Sequence, residues 1–500
     1  MKKYITIIIA GLSFSAVHSQ GIADALRFSQ DNLNGTARFS AMSGAFGALG
    51  GDFSSINVNP AGSAIFSNNQ VGFTLSSYNA KNKSEYFGTK NSENNISFDL
   101  NQAGAVFVFN NANLKNEWKK ITIGVNYENA NNFDNSIFVA GTNPKNSIAD
   151  YFLSYANPTV NQGGIYLGTL KDYYYEELNY QDQQAYLGYY GKIIIPVDPT
   201  NLNNDSYVSN VPAGGNYYQD NYIESSGYNG KLAFNAATQY KDKLYFGLNL
   251  NSHFTDYKHS TSFYESNTNS TNSQVRSLQF DNDLHTYGSG FSLQLGAIAK
   301  VTKELRFGLA YESPTWYWLN DQLLQTLYST VNPSTTSSTV DSNFIMTSAP
   351  YTLQTPGKWT GSLAYIFGKS GLISMDYGLK DYSNTKFTPK NEFQNANQDL
   401  SNRLTTAAEL RIGAEYRIKQ WSLRGGFRNE QSPYKDGKTI GDLTGYSGGF
   451  GYNFGATKLD LAYSFSQRST QQGFFSQGFM DSATVKTNRN NFSMTLLFEL

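Results

Sequence analysis

Six ionisable residues near the C-terminus are spaced so that they can act together. Glu409, Arg411, Glu415 and Arg417 recur at even spacings, and Arg424 and Arg428 follow shortly after. Guanidinium groups held side by side can grip a carboxylate or phosphate through paired, charge-assisted hydrogen bonds. With Glu409 and Glu415 close to Arg424 and Arg428, the same groups can instead neutralise one another, and this internal balance is the favoured reading. Other candidates are weaker. His253, His259 and His285 lack a metal-ligand spacing and fall at or near expected loops. Asp281 and Asp283 are not followed by the Gly and Glu of a calcium-binding loop. Gly445-Tyr446-Ser447-Gly448-Gly449 has the form of a nucleophile elbow, which needs a strand–turn–helix setting. Here it opens a strand-like segment. Cysteine is absent, which removes disulfides, thiolate metal sites and thiol nucleophiles.

The six charges belong to an alternating pattern. Leu410, Ile412, Ala414, Tyr416 and Ile418 separate them on one strand. Trp421, Leu423 and Phe427 oppose Ser422, Arg424 and Arg428 on the next. A strand with one apolar and one charged face fits a membrane barrel, apolar side to lipid and charged side to the lumen. Composition agrees. The 500 residues carry 38 Lys and Arg against 39 Asp and Glu, a net charge of -1, which argues against nucleic acid as partner. Charged residues are 15% and aromatics 15%, where a typical soluble domain has roughly 25% charged. Mean hydropathy is -0.46, which excludes a bundle of membrane helices.

Lys2 and Lys3, the apolar stretch Ile5 to Ala16, and small residues before Gln20 read as a signal peptide over residues 1–19. Export is therefore expected. From residue 71 onward about fourteen alternating segments follow, an even number as bacterial barrels have. They lie near 71–79, 96–109, 121–129, 229–240, 244–257, 287–299, 303–312, 357–367, 371–379, 404–418, 421–430, 445–454, 458–467 and 490–500. Connections after the even segments are short, and those after the odd ones are long, including 130–228, 258–286, 313–356 and 468–489. That parity is the short-periplasmic, long-external pattern of outer-membrane barrels. The fold class expected is all-β, a transmembrane antiparallel β-barrel over residues 71–500. Its longest external loop, 130–228, has helix-like spacing at Ile148–Ala156 and Leu178–Tyr190.

Residues 34–62 hold a Gly/Ala-rich stretch from Gly44 to Gly51, then Asp52, then Asn59-Pro60-Ala61. This resembles the N-terminal hatch of the FadL-type long-chain fatty acid outer-membrane transporters. Thr355-Pro356 with Trp359, Gly361 and Tyr365, Asp376-Tyr377 with Phe387, and Trp421 to Phe427 with Ser432-Pro433 are similar to later family segments. The resemblance implies a fourteen-stranded barrel plugged by residues 20–70, with Gly44, Asp52, Asn59, Pro60 and Ala61 in the hatch. It implies passive uptake of a hydrophobic small molecule, a long-chain fatty acid first, with release through hatch movement and an opening in the wall. No cofactor, metal or catalysis is expected. Outer-membrane lipid surrounds such a barrel, and envelope proteins are possible partners through the external loops. Two alternatives stay open: a structural subunit of a larger outer-membrane assembly, or a carrier of an aromatic compound or haem. Uptake predicts a continuous apolar path from the 130–228 loop to the hatch. An assembly subunit predicts outward-facing aromatics.

Overall fold

A computed structural model describes residues 21–113, 115–157, 163–333 and 336–500; the signal-peptide reading of residues 1–19 lies outside them. Fourteen wall strands run antiparallel. They are β1 Gln70–Tyr86, β2 Thr89–Asn110, β3 Trp118–Asn132, β4 Tyr217–Tyr240, β5 Leu244–Ser266, β6 Val275–Lys300 and β7 Leu305–Glu312. The rest are β8 Lys358–Phe367, β9 Gly371–Asp381, β10 Thr406–Ile418, β11 Trp421–Glu430, β12 Leu443–Asn453, β13 Thr457–Gly473 and β14 Ser482–Glu499. Each pairs with the next. β14 pairs back onto β1 from Gln70↔Glu499 to Glu85↔Thr484, which closes the barrel. Each alternating segment of the sequence falls on one of these strands.

The alternation has a direct physical cause. Outward positions such as Phe246, Leu248 and Leu250 are exposed apolar side chains, while Asn249 and Asn251 between them are buried on the inner face. Rings cluster at both edges of the apolar band. Trp118 lies 5.0 Å from Tyr240 and Trp421 4.7 Å from Tyr452 near the short turns, and Tyr311 lies 4.6 Å from Trp359 at the other edge. Such girdles mark the two interfaces of a membrane barrel.

The strands are longer than the alternation suggested. β6 has 26 residues, where roughly 9–11 cross a bilayer. Much of what reads as loop at 258–286 and 468–489 is strand continued outward, as is 80–95, where β1 and β2 meet at a two-residue turn. Outside the lipid no apolar face is required, so periodicity fades while ladder hydrogen bonds persist. The expected 313–356 loop is corrected in the same way. Trp316–Val331 resumes pairing with β6, from Trp316↔Phe291 to Val331↔Val275. Tyr351–Gln354 pairs with its start. Pro314 and Pro356 interrupt the two adjacent strands side by side, because proline cannot donate to a ladder. Side chains relace the gap: Leu293 N donates to Ser313 Oγ (3.0 Å) and Thr315 N to Thr355 Oγ1 (3.0 Å).

The long connection 133–216 folds into a cap. Its first part, Asn135–Asn143, adds a strand to β4. Three helices follow: α3 Ala149–Ala156, α4 Leu167–Asp172 and α5 Tyr180–Tyr190. (Two helices precede the barrel, α1 Ile22–Ser29 and α2 Ala37–Ala41.) Both stretches with helix-like spacing are helical. Phe152, Leu170, Ala185 and Leu187 pack against Phe263, Phe280 and Leu327 of the strand extensions.

Glu265 ties this cap down, on the extension of β5 beyond the apolar band. It accepts from Ser147 Oγ, Ile148 N (2.9 Å) and Gln219 Nε2 (2.7 Å). Burial, set against those three donors, pushes its carboxyl up to about 7. An unfolded glutamate titrates near about 4.3, so the native cap binds the extra proton between these values. That stabilisation is full below the lower value and is lost as pH rises through the higher one. Amide exchange in α3, corrected for intrinsic rate, is expected to be faster at pH 8 than at pH 5. Glu265→Gln is expected to remove the difference.

Candidate functional site

Residues 21–66 enter the lumen before β1 begins. α1 (Ile22–Ser29) lies toward the outer mouth, where Gly21 N donates to Asp24 Oδ2 (2.8 Å). Its Leu26 and Phe28 pack with Tyr317, Tyr351 and Phe393, and Arg27 stacks 3.8 Å from the Tyr257 ring centroid. Deeper in, α2 (Ala37–Ala41) is capped by Thr36, whose hydroxyl accepts from Phe39 N. Buried Asp52 accepts from the same Thr36 hydroxyl (2.8 Å) and from Ser54 N (2.9 Å). Burial pushes the Asp52 carboxyl up, against the pull of Arg38.

Asn59, Pro60 and Ala61 form the deepest anchor. Asn59 is extended (φ -144°) and caps a 3-10 turn that opens with Pro60 and spans Pro60–Ile65. Its side-chain Oδ1 accepts from Ala61 N (3.1 Å), and its side-chain amide donates to Gly47 O (2.7 Å) and Ala297 O (3.1 Å). The wall answers with amides of its own: Asn235 to Pro60 O, Asn249 to Ile56 O and Gln294 to Asn57 O. Close approach requires wall glycines. A Cβ at Gly296 would lie 2.0 Å from Asn59 Oδ1, and one at Gly308 2.2 Å from Gly47 O. Gly44 has φ +79° and sits against Arg411. Asp376 of β9 accepts from Phe46 N (2.9 Å) and Gly47 N (3.0 Å).

The six C-terminal charges all pair, though not all as expected. Glu415 joins Arg38 of the N-terminal segment (2.8 Å), Arg417 (2.5 Å) and Arg424 (2.7 Å), and Arg424 continues to Asp460 (2.5 Å). Glu409 instead takes Lys358 (2.7 Å) and Arg411, and Arg428 lies 3.3 Å from Glu430. Registry explains the difference. Glu415 stands opposite Arg424 in the ladder, but Glu409 stands opposite Glu430. Ser447, from the elbow-like motif, lies within β12 and bonds Ser43 (2.8 Å) and Ala41 O (3.0 Å).

Between α1 and α2, residues Gln30–Asn34 cross the lumen as a strap. At one end Asp31 lies 2.8 Å from Lys358 and 3.2 Å from Lys380. Burial alone would raise this carboxyl, but the two ammonium groups hold it well below the usual carboxylate range. At the other end Asn32 donates to Asn131 Oδ1 (2.5 Å) and Asn34 to Ala130 O (3.0 Å) on β3. A cavity of about 110 Å³ adjoins the strap, lined by Asp31, Lys358, Lys380, Glu409, Arg411, Glu128, Lys231 and His253 among others. Charges line the wall where a continuous apolar path was expected, because alternation turns the polar face of every strand inward. His253 is likewise lumenal rather than at a loop: it is buried and bonded to Ser292 (2.9 Å) and Tyr317 (3.3 Å). Sequence reasoning missed Asp31, Lys358 and Lys380. The two lysines were findable, since they alternate with outward Trp359 and Leu379.

Beside the strap the wall has a seam. The β2–β3 ladder runs from Asn110↔Lys120 to Gln102↔Glu128 and stops. Further out, Asn129 donates to Asp99 (3.2 Å) and Asn132 to Ser97 (3.2 Å) and Asp99. Side chains lace this gap, with the strap behind it and exposed Ile96, Phe98 and Leu100 of β2 on the lipid side.

No protein-family model matches the chain, and no curated protein matches it. Solved structures do. A FadL homologue of Pseudomonas aeruginosa superposes with a TM-score of 0.52 at 12% identity, covering 94% of this chain and 99% of that one. The toluene transporter TodX of Pseudomonas putida gives 0.50 at 13% identity over the same shares. The chain has the FadL-type fold. Within this FadL-type barrel, the deepest anchor is the most sensitive point of the N-terminal segment. Asn59→Ala leaves buried Gly47 O without its amide donor, at a cost of about 1–3 kcal/mol. Amide exchange over residues 44–66 is expected to accelerate, while the wall strands keep their protection.

Proposed function

We propose that the protein is an outer-membrane channel for passive uptake of hydrophobic molecules that carry a small polar head, long-chain fatty acids fitting best. The observation that carries this reading is the seam between β2 and β3, closed from behind by the Gln30–Asn34 strap beside a cavity that Lys358 and Lys380 line. Residues 21–66 act as the hatch, with Asn59, Pro60 and Asp376 holding its base and the strap as its movable part. The lumen favours this route on energetic grounds. An alkyl chain driven past the charged cavity and the buried hatch base would strip hydration from many polar groups. Leaving through the seam takes it straight to Ile96 and Phe98 in the lipid. A carboxylate head suits Lys358 and Lys380, which together hold the Asp31 carboxylate, Lys358 holding that of Glu409 as well. Two proteins of the same fold, a FadL homologue and a toluene transporter, support hydrophobic cargo. A second reading, a subunit of an envelope assembly, is favoured by Tyr166, Tyr173 and Tyr174, which are exposed on the cap.

The chain has no cysteine, so paired cysteines report on the strap alone. Asn32→Cys with Asn131→Cys, bridged by a short thiol cross-linker, is expected to abolish uptake of a fluorescent fatty acid into cells, with recovery on cleavage of the linker. Unchanged uptake in the bridged protein would overturn the seam as the route. Absence of uptake by the unaltered protein would favour the assembly subunit.

A further inference from the structure

The outer surface around β13, β14, β1 and β2, with the adjoining face of β11 and β12, has two features that share only Phe98 with the exit side of the seam. The first is a hollow in the lipid-facing wall, of about 580 Å³ and almost entirely apolar. Gly448 lines it, and Gly425 stands opposite Gly448 in the β11–β12 ladder; both face outward and leave the wall without a side chain there. A Cβ at Gly448 would meet nothing nearer than Arg424 O at 3.6 Å. Phe450, Tyr463, Phe492, Phe98 and Met494 stand around the space the glycines leave.

The second feature lies directly above. On β14 the outward residues run from Phe492 through Asn490 and Asn488 to Lys486. On β1 they run from Ser77 through Asn79 to Lys81 and Lys83. Lys83 and Lys486 are direct cross-strand partners, and all three lysines are exposed. Like charges placed opposite each other destabilise a ladder, so this pairing calls for an anion. Among the described residues on the outward faces of these four strands at this level, the one carboxylate is Glu85. It lies two residues beyond Lys83 and pairs with Lys90 at 3.7 Å. From Phe492 to Lys486 is six residues along β14, about 20 Å of strand. At the usual tilt of about 45° this rises from the hydrocarbon to the level of the headgroups.

We propose that this face is a binding site for a phosphate-bearing lipid of the outer leaflet, with an acyl chain in the glycine hollow and a phosphate on Lys81, Lys83 and Lys486. The occupant follows from position and charge together. The hollow opens onto hydrocarbon, where an acyl chain is the available apolar filler. The cations sit where the same molecule carries its phosphate, and ammonium groups on flexible stems reach it at the interface. The site faces away from the lumen, so it stands whether or not the uptake reading holds.

Native mass spectrometry of the full chain in mild detergent tests it, with bisphosphorylated lipid A as probe. One bound molecule is expected. The triple variant Lys81→Gln, Lys83→Gln, Lys486→Gln is expected to weaken binding at least about ten-fold, the scale of one lost charge-assisted contact. Gly448→Leu, which fills the hollow and leaves the lysines, is expected to weaken it as well. Heat-modifiable gel mobility identifies folded barrel in each sample. Lys486→Gln alone replaces the triple variant if the latter does not fold. Unchanged lipid A binding by folded lysine variants would overturn the proposal. Competition by inorganic phosphate with no effect of Gly448→Leu would reduce the face to a free-anion site and overturn it too. A dimer lost in the same variants, without bound lipid, would replace the lipid with a second copy of the chain.

Discussion

A backbone amide or carbonyl in hydrocarbon has no water to pair with, and an unpaired one costs several kcal/mol. The β14–β1 ladder meets that constraint for the whole wall. Sixteen residues of β1, from Gln70 to Glu85, find partners on β14, and with that ladder formed the sheet has no edge. Closure also forces the alternation of side chains. One face must suit lipid, so the other is left to line the lumen, and in this chain it lines it with Asn, Gln, Asp, Glu, Lys and Arg.

The N-terminal segment depends on that polar lining. Irregular backbone inside a barrel brings its own unpaired groups, and the inward side chains satisfy them. Asn235, Asn249 and Gln294 donate to carbonyls of the segment, Asp376 accepts from its amides, and Arg38 enters the Glu415 network. Gly296 and Gly308 allow the two backbones to come close enough for these bonds to form. The charges read from sequence as candidate ligand contacts are therefore mostly engaged with the chain itself. Asp31, held by two lysines, opens onto the cavity, as do Glu409 and Arg411 among those charges.

Two breaks in the wall ladder are bridged by side chains. At Pro314 and Pro356 proline breaks the ladder, and the hydroxyls of Ser313 and Thr355 accept from Leu293 N and Thr315 N. At the β2–β3 seam no proline intervenes. The ladder ends, and asparagines and Asp99 bridge the gap. A seam held by side chains separates at lower cost than one held by a continuous backbone ladder. Its position next to the strap is what the proposed uptake route rests on.

The barrel, its strand number and its inward and outward faces were legible in the sequence, because lipid contact imposes period-2 alternation at each crossing. Asn59-Pro60 was legible as a rigid turn for a local reason, proline's fixed φ. The strand extensions were not, since outside the membrane nothing forces a face to be apolar. Ion-pair identity depended on register. Glu409 and Glu415 look equivalent along the chain, but one faces Glu430 and the other Arg424, so Glu409 turns to Lys358 on a strand fifty residues earlier. The strap, the seam and the opposed Lys83 and Lys486 are likewise products of closure. Each joins residues remote in the chain, and only the assembled ladder decides which of them meet.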